Sequence, residues 1–210
     1  MIAIVDYGMG NLRSAQKGFE KAGHEAVVTD DPERIETADA VVLPGVGAFK
    51  DCYDGLGERG LIDVVKRAAT SGRPFLGICV GMQLLFEYSE EGAGSVGLGI
   101  LPGRIVRFPE AAKTGLKVPH MGWNQLLRTA TDCPLLPGKA PLPYVYFVHS
   151  YYADTTAPEI VAATCDYGVR FPAMVCRDTV FATQFHPEKS QAGGIEMLRR
   201  FGQFVATGIA

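Results

Sequence analysis

A single cysteine stands where an apolar, strand-like run gives way to a helix-like run. Residues 74–78 are typical of a short buried strand, and residues 82–86 carry apolar side chains at helical spacing. Cys79 lies between them, with Gly77 and Gly81 two residues away on each side. Gly-x-Cys-x-Gly is the pattern of a strand-to-helix nucleophile elbow with sulfur in place of oxygen. Because a helix start favours the thiolate, the pattern predicts that Cys79 is a nucleophile rather than a structural cysteine, provided that a base lies elsewhere.

The base must be a histidine, and the chain has four: His24, His120, His149 and His186. His186 ends a strand-like run and is followed by Pro187 and Glu188. The proline favours an extended chain before it, in which residues two apart point to the same side. Glu188 could then hold the His186 ring in one tautomer. With Cys79 this predicts a Cys, His, Glu triad, and the alternative is a surface His-Pro-Glu turn.

Two glycines follow a predicted strand at residues 40–43, in the segment Pro44-Gly-Val-Gly47. Glycines just past the carboxyl end of a strand allow the backbone to aim N–H groups into the crevice where open α/β sheets bind ligands. A negative oxygen formed by attack of Cys79 needs such donors. We expect them to be the N–H of Val80 and an N–H from Val46 or Gly47. The alternative is an ordinary turn.

Length and composition exclude several functions. The 210 residues suit one domain, 1–210, and the net charge of −3 gives no basic excess for binding nucleic acid. The apolar start, residues 1–5, is too short for a signal peptide, and no run is long enough to cross a membrane, so we expect a cytoplasmic protein.

Gly8-Met-Gly10 resembles the start of a dinucleotide fingerprint but lacks its third glycine, so a nucleotide site is not expected here. Asn11 is instead expected to cap the helix that follows. No cofactor is expected.

The remaining cysteines do not suggest further chemistry. The chain has five cysteines, an odd number without the CxxC spacing of a zinc site, which argues against a disulfide framework and a structural metal. The four other than the predicted nucleophile are interpreted as structural: Cys52, Cys133, Cys165 and Cys176.

Strands and helices alternate in the first half of the chain, whereas strands dominate the second half. We therefore expect an α/β fold, with parallel strands covered by helices and a largely antiparallel or mixed region after them. Residues 90–99 are glycine-rich and are expected to form an exposed connection. The predicted helices are 12–22, 61–69 and 195–205, and the predicted early strands are 2–5, 26–28 and 40–43. The predicted later strands are 105–108, 123–127, 144–151, 160–164, 174–176 and 180–185.

The segments Gly77-Ile-Cys-Val-Gly-Met-Gln83 and Phe185-His-Pro-Glu188 resemble the class I, triad-type glutamine amidotransferases, in the right order and separation. Further segments are similar to the glutaminase subunits of imidazole glycerol phosphate synthase: residues 6–13, 44–47, 121–124, 146–151 and 186–189. One departure is Val80, where the family usually carries leucine. Only the N–H of this residue is needed chemically.

This resemblance implies a flavodoxin-like sheet, mixed but mostly parallel and flanked by helices, that hydrolyses glutamine to glutamate and ammonia. It also implies that glutamine is held by Gly47, Gln83, Ser150 and Tyr151. For the last three residues, an ordinary structural role in a helix or a strand remains an alternative.

The resemblance further implies a heterodimer with a (β/α)8 cyclase subunit, which uses the ammonia to make imidazole glycerol phosphate and AICAR in histidine biosynthesis. Positions that face the cyclase in the family are Asn11, Trp123, Tyr146 and Lys189. Each also has an ordinary structural interpretation: in the same order, a helix cap, a core aromatic residue, a strand aromatic residue and a solvated lysine. Two other functions also stay open. One is the glutaminase of another synthase, such as anthranilate or aminodeoxychorismate synthase. Such a glutaminase should lack the segment Met121-Gly-Trp-Asn124. The other is a non-catalytic interaction module.

Overall fold

Short strands alternate with helices up to the elbow, and strands then follow one another almost to the C-terminus. The computed structural model describes residues 1–110, 115–138 and 141–207. The strands are β1 Ile2–Val5, β2 Ala26–Thr29, β3 Ala40–Gly45, β4 Phe75–Cys79, β5 Phe86–Ser89, β6 Ser95–Val96, β7 Leu101–Arg107, β8 His120–Gln125, β9 Leu127–Arg128, β10 Tyr144–His149, β11 Tyr151–Asp154, β12 Val161–Asp166, β13 Arg170–Arg177 and β14 Val180–Thr183. The helices are α1 Leu12–Lys21, α2 Pro32–Thr37, α3 Phe49–Glu58, α4 Ile62–Thr70, α5 Val80–Leu84 and α6 Gln191–Thr207.

The main sheet has the strand order β2-β1-β3-β4-β14-β13-β12-β9. Its first five strands are parallel, and the last three join by antiparallel pairing. Every residue of β1, β3 and β4 is buried, as expected for strands covered on both faces. The predicted α/β class and the parallel-then-antiparallel division are confirmed.

Two smaller sheets lie outside this layer. One pairs β10 with β8, and the other has the order β11-β7-β5-β6. The strand predicted over residues 144–151 is divided between them, because the chain leaves β10 at His149 and enters β11 at Tyr151. Ser150 therefore lies at the junction of two sheets.

Two helices that the sequence analysis did not predict precede the elbow. The start of α2 had a local signal, since the Asp31 carboxylate accepts from the N–H of Glu33 at 2.9 Å and Pro32 occupies the first turn. The start of α3 had none. The N–H of Phe49 donates to Glu91 at 2.8 Å, and that carboxylate is distant in the chain.

The helix after Cys79 is shorter than its apolar spacing predicted. It ends at Leu84, and Phe86 begins a strand. The carbonyl of Leu85 accepts from the N–H groups of Ile100 and Leu101, each at 2.8 Å, so a distant segment replaces the helical bonds. The glycine-rich connection is likewise more structured than expected, because β6 pairs with β5.

Candidate active site

The turn after β4 is shaped by close packing on both sides of Cys79. Cys79 has φ 57° and ψ −113°, a backbone conformation that is strained for a residue other than glycine. A Cβ on Gly77 would lie 2.9 Å from the carbonyl oxygen of Gly81, and one on Gly81 would overlap the carbonyl of Leu43. Both glycines are therefore required for the turn. The close packing of neighbouring backbone around this turn therefore fixes the position of the Cys79 thiol.

His186 and Glu188 form a buried pair next to this thiol. Nδ1 of His186 lies 2.8 Å from Oε1 of Glu188, and each side chain is only 2% exposed. The chain is extended at His186 but then turns, since Pro187–Lys189 is a single 3-10 turn rather than extended chain. The turn nevertheless brings the Glu188 carboxylate to the ring of His186. Nε2 of His186 is buried and has no hydrogen-bond partner among the described residues.

The environment of His186 stabilises its protonated form. Burial acts to lower the pKa of His186, but the nearby Cys79 sulfur, and then the Glu188 carboxylate, outweigh burial and raise the pKa to about 10. An imidazolium whose Nδ1 is held by a carboxylate keeps its Nε2 proton available, so His186 can act as an acid in the cavity that it shares with Cys79. This arrangement can support acyl transfer to sulfur.

The segment Pro44–Gly47 lies alongside the elbow because β3 and β4 pair in parallel, with Gly45 opposite Cys79. The Tyr7 hydroxyl donates to the carbonyl of Pro44 at 2.7 Å. The Cys52 thiol, predicted to be structural, donates to the carbonyl of Val46 at 3.4 Å. Since C=O and N–H of one peptide point in opposite directions, the N–H of Gly47 is directed away from Cys52.

One cavity of about 320 Å³ brings most of the predicted site residues together. It is lined by Val46, Gly47, Cys79, Val80, Gln83, Ser150, Tyr151 and His186. Glu188 lies behind His186 and does not line the cavity. The other lining residues were not singled out from the sequence: Glu91, Pro119, Val148 and His149. Val148 and His149 belong to a segment that carries the family resemblance, so a signal was present there, whereas Glu91 and Pro119 come from loops without a local pattern.

Gln83 is fixed by both hydrogens of its amide. Nε2 of Gln83 donates to the carbonyl of Tyr151 and to Oε1 of Gln184, each at 3.0 Å. A main-chain carbonyl can only accept, so the amide orientation follows and Oε1 of Gln83 is left for a ligand. This oxygen could accept from an amine in the cavity.

The four predicted interface residues lie on three parts of the fold. Trp123 on β8 is 47% exposed and faces Tyr146 on β10, with ring centroids 6.1 Å apart. Lys189 is exposed on the turn after His186, and Asn11 caps α1 by accepting from the N–H of Ser14 at 3.3 Å. The predicted cap at Asn11 is confirmed, and a core position for Trp123 is excluded.

Hydrogen bonds connect this exposed strand pair to the turn at His186. The N–H of His186 donates to the carbonyl of Tyr146 at 3.1 Å, and the N–H of Tyr146 donates to the hydroxyl of Ser190 at 3.0 Å. The hydroxyl of Ser190 donates in turn to the carbonyl of His186 at 2.6 Å. A shift of β10 would therefore reach the backbone of His186 directly.

Within the described ranges, no group of His, Cys, Asp and Glu side chains is arranged to hold a metal ion. No helix in the part of the chain that the structure describes is long and apolar enough to cross a membrane.

Comparisons with known proteins identify the family of the chain. The family described as glutamine amidotransferase class-I matches residues 3–203. The chain is 57% identical to the imidazole glycerol phosphate synthase subunit HisH of Syntrophotalea carbinolica, over 96% of this chain and 99% of that protein. It is 54% identical to the subunit of the same name from Geobacter sulfurreducens, over 96% of this chain and 98% of that protein.

Solved structures with the same fold are more distant in sequence. The crystal structure of a glutamine amidotransferase matches with a TM-score of 0.74 at 20% identity, covering 99% of this chain and all of that one. The structure of PurLQS from Thermotoga maritima matches with a TM-score of 0.72 at 20% identity, covering 99% of this chain and 97% of the matched one. At this identity the likeness concerns the fold alone.

Proposed function

The chain belongs to the class I glutamine amidotransferases, as a glutaminase subunit of the imidazole glycerol phosphate synthase type in histidine biosynthesis, and we propose that Cys79, His186 and Glu188 carry out its reaction. The observation that carries this assignment is the buried His186–Glu188 pair. Nε2 of His186 has no hydrogen-bond partner among the described residues, and His186 lines one cavity with Cys79. Relatives of high identity over the whole chain weigh against the glutaminase of another synthase and against a non-catalytic module.

In the first half of the reaction Cys79 attacks as a thiolate. Its sulfur bonds to the side-chain amide carbon of glutamine, and the carbonyl electron pair moves to oxygen. The imidazolium of His186 donates its Nε2 proton to the amide nitrogen, the C–N bond breaks, and ammonia leaves. A glutamyl thioester on Cys79 and a neutral His186 remain.

The second half needs His186 as a base, and thioester formation makes this possible. The Cys79 sulfur is the foremost group that raises the pKa of His186, and a thioester sulfur carries no charge and accepts only weakly. The pKa of His186 therefore falls once the acyl group is bound. Neutral Nε2 then takes a proton from water, hydroxide adds to the thioester carbon, and glutamate leaves as the thiolate is restored.

The oxygen that becomes negative in both halves is stabilised by N–H donors at the elbow and the glycine segment. We assign Val80, with Val46 or Gly47, to this role. The glycine segment and three pocket residues hold glutamine: Gly47, Gln83, Ser150 and Tyr151. Oε1 of Gln83 suits the substrate ammonium group, because both of its amide hydrogens are already used.

Ammonia is mostly protonated near neutral pH, so an acceptor enzyme must lie close to the site. We propose a heterodimer with a (β/α)8 cyclase in the cytoplasm, which docks on Trp123 and Tyr146 and reaches Asn11 and Lys189. The exposed apolar side chains of β8 and β10 support this surface, since Met121 is 66% and Tyr144 is 58% exposed. Movement of β10 would act on the main chain of His186 through Tyr146.

The site assignment is tested by alkylation with a glutamine-like diazoketone, which reacts with an activated thiol in a glutamine pocket. Mass spectrometry of the digested, assembled synthase should find the label on Cys79, and His186→Ala should label much more slowly. Labelling of Cys52 or Cys133 instead, or equal rates in the variant, would refute the assignment.

Coupling to the partner is tested by glutamate production from the chain alone, with the cyclase, and with the cyclase plus its nucleotide ligand. We expect the chain alone to be nearly silent. The glycines of the segment 44–47 allow a peptide to present either its N–H or its carbonyl to the oxyanion, and one missing donor costs about 10²–10³ in rate. Equal rates in the three mixtures would exclude gating by the partner.

A further inference from the structure

Two buried histidines take no part in the proposed reaction. His120 on β8 is 3% exposed and His149 on β10 is 6% exposed, and the two residues are directly opposite in the strand pairing. His149 lines the cavity, whereas His120 does not. Both rings pack against aromatic side chains, including Phe108, Phe147 and Phe171. A buried imidazole pair must satisfy its polar atoms, and this pair does so with other protein groups.

The hydrogen bonds of the two rings run in one direction. Nδ1 of His149 lies 2.8 Å from the carbonyl of Tyr151, which can only accept, so this nitrogen carries the proton. In a neutral ring Nε2 of His149 is then an acceptor, and Nδ1 of His120 donates to it at 3.0 Å. Nε2 of His120 is left to accept from the amide of Asn124, at a longer 3.5 Å. The order is Asn124, His120, His149 and the Tyr151 carbonyl.

The chain of bonds continues on the other side of Tyr151 to the nucleophile. The Tyr151 carbonyl also accepts from Nε2 of Gln83 at 3.0 Å, and Gln83 donates to Gln184 at 3.0 Å. Nε2 of Gln184 lies 4.0 Å from the Cys79 sulfur. The Tyr151 carbonyl is therefore held from two sides, by Gln83 and by His149.

We propose that His149 and His120 are positioning residues that hold the Tyr151 carbonyl, and with it the pocket wall at Ser150 and Tyr151, in the geometry that binds glutamine. The inference rests on the proposed glutaminase function for its substrate. Ser150 lies where the chain passes from β10 to β11. Its own carbonyl is held by the N–H of Phe108 at 3.0 Å, and the bonds to the Tyr151 carbonyl hold the next peptide of this wall.

The electrostatics of the pair agree with neutral rings. Burial lowers the pKa of His120 to about 4. Burial, and then the neighbouring His120 and His186, lower the pKa of His149 to about 3, although the bond to Tyr151 opposes this. A proton added to Nε2 of His149 would face the N–H of His120 across 3.0 Å. A neutral His149 also leaves the charge of His186 without a like charge beside it.

The first experiment separates the hydrogen bond from packing. His149→Phe keeps an aromatic ring among its neighbours but removes the donor to Tyr151, and loss of one buried bond of this kind predicts a glutamine KM about 10–100-fold higher in the assembled synthase. His149→Asn places an amide nitrogen near the former Nδ1 position and should be much less impaired. Tyr167→Phe is the matched control. Its ring stacks on that of His120, with centroids 4.0 Å apart, but its hydroxyl donates to the carbonyl of Lys117, outside the chain of bonds, so KM should not change.

The second experiment does not depend on turnover. Two-bond ¹H–¹⁵N correlation spectra of histidine-labelled protein at pH 6 should show both rings neutral with the proton on Nδ1, whereas an unperturbed histidine would be largely charged. His120→Phe should leave the proton of His149 on Nδ1, since the Tyr151 carbonyl still requires it.

The outcomes of the two experiments are distinguishable. A ring protonated on Nε2 or on both nitrogens, or an unchanged KM in His149→Phe, would overturn the positioning role while the glutaminase function stands. An unlabelled Cys79 in the alkylation experiment would overturn the proposed site while the ring tautomers still report on the hydrogen bonds.

Discussion

Replacing Glu188 with glutamine measures how strongly the buried carboxylate holds the proton on His186. The pair is 2% exposed on each side, so water screens it little. Burial lowers the pKa of His186, yet Cys79 and then Glu188 raise it from 6.5 to about 10, a net preference of roughly 5 kcal/mol for the imidazolium at about 1.4 kcal/mol per tenfold change. Because the larger share belongs to Cys79, we expect Glu188→Gln to remove about 2 kcal/mol.

The assay is glutamate release by the assembled synthase between pH 6 and about pH 10.5. Since kcat/KM follows groups of the free enzyme, its alkaline limb should lie near the raised pKa of His186. In Glu188→Gln we expect kcat/KM to fall about 30-fold and the limb to move down by about 1.5 pH units. Glu196→Gln, which removes a carboxylate paired with Arg199 away from the cavity, is the matched control. A limb that does not move, with kcat/KM within about twofold, would refute the triad argument.

Glu188→Gln should also change how the unfolding free energy of the protein depends on pH. The pKa of His186 is higher in the folded than in the unfolded chain, so its stabilising contribution is fully present below about pH 6.5 and is lost as pH rises through about 10. The difference in unfolding free energy between the native chain and Glu188→Gln should therefore shrink across this window in urea titrations. A difference that grows with pH would contradict the assignment of the proton to His186.

Three further predictions concern the nucleophile, the elbow and the docking surface. Cys79→Ser should abolish glutamine-dependent synthesis by the reconstituted synthase while ammonia-dependent synthesis survives, and glutamine turnover within tenfold of the native rate would exclude the thiol mechanism. Gly81→Ala should lose at least about 3 kcal/mol of unfolding free energy, or fail to fold, because its Cβ would overlap a main-chain oxygen, whereas Gly138→Ala, which meets open space, should be tolerated in the same thermal scan. Trp123→Ala should weaken binding to the cyclase by about tenfold or more in calorimetry, with Val96→Ala as an exposed apolar control, and equal affinities would place the interface elsewhere.

Several features of this protein could be predicted from local sequence because one residue type satisfies the constraint. Gly77 and Gly81 mark the elbow, since any Cβ there meets neighbouring backbone. Glu188 pointed to His186 as the proposed base because the carboxylate is only two residues from the ring, although a 3-10 turn rather than extended chain brings the two together. The parallel strands were recognisable because a strand covered on both faces must be apolar throughout.

Other features depended on groups far apart in the chain, which no local pattern reports. The helix after Cys79 ends early because residues 98–101 take its carbonyls, and α3 begins where it does because Glu91 caps it from a distance. The alignment of Gly45 with Cys79 follows from strand pairing.

The role of His149 is the clearest case of what tertiary structure alone decided. In the sequence it is one of four histidines, and its neighbours give no sign of its protonation or partners. Only the pairing of β8 with β10 brings His120 against it, and only the break before β11 turns the Tyr151 carbonyl towards it. The sequence determined which side chains could do chemistry, because reactivity belongs to residue types. The fold determined which of them meet, because hydrogen-bond direction and burial depend on groups brought together from separate strands.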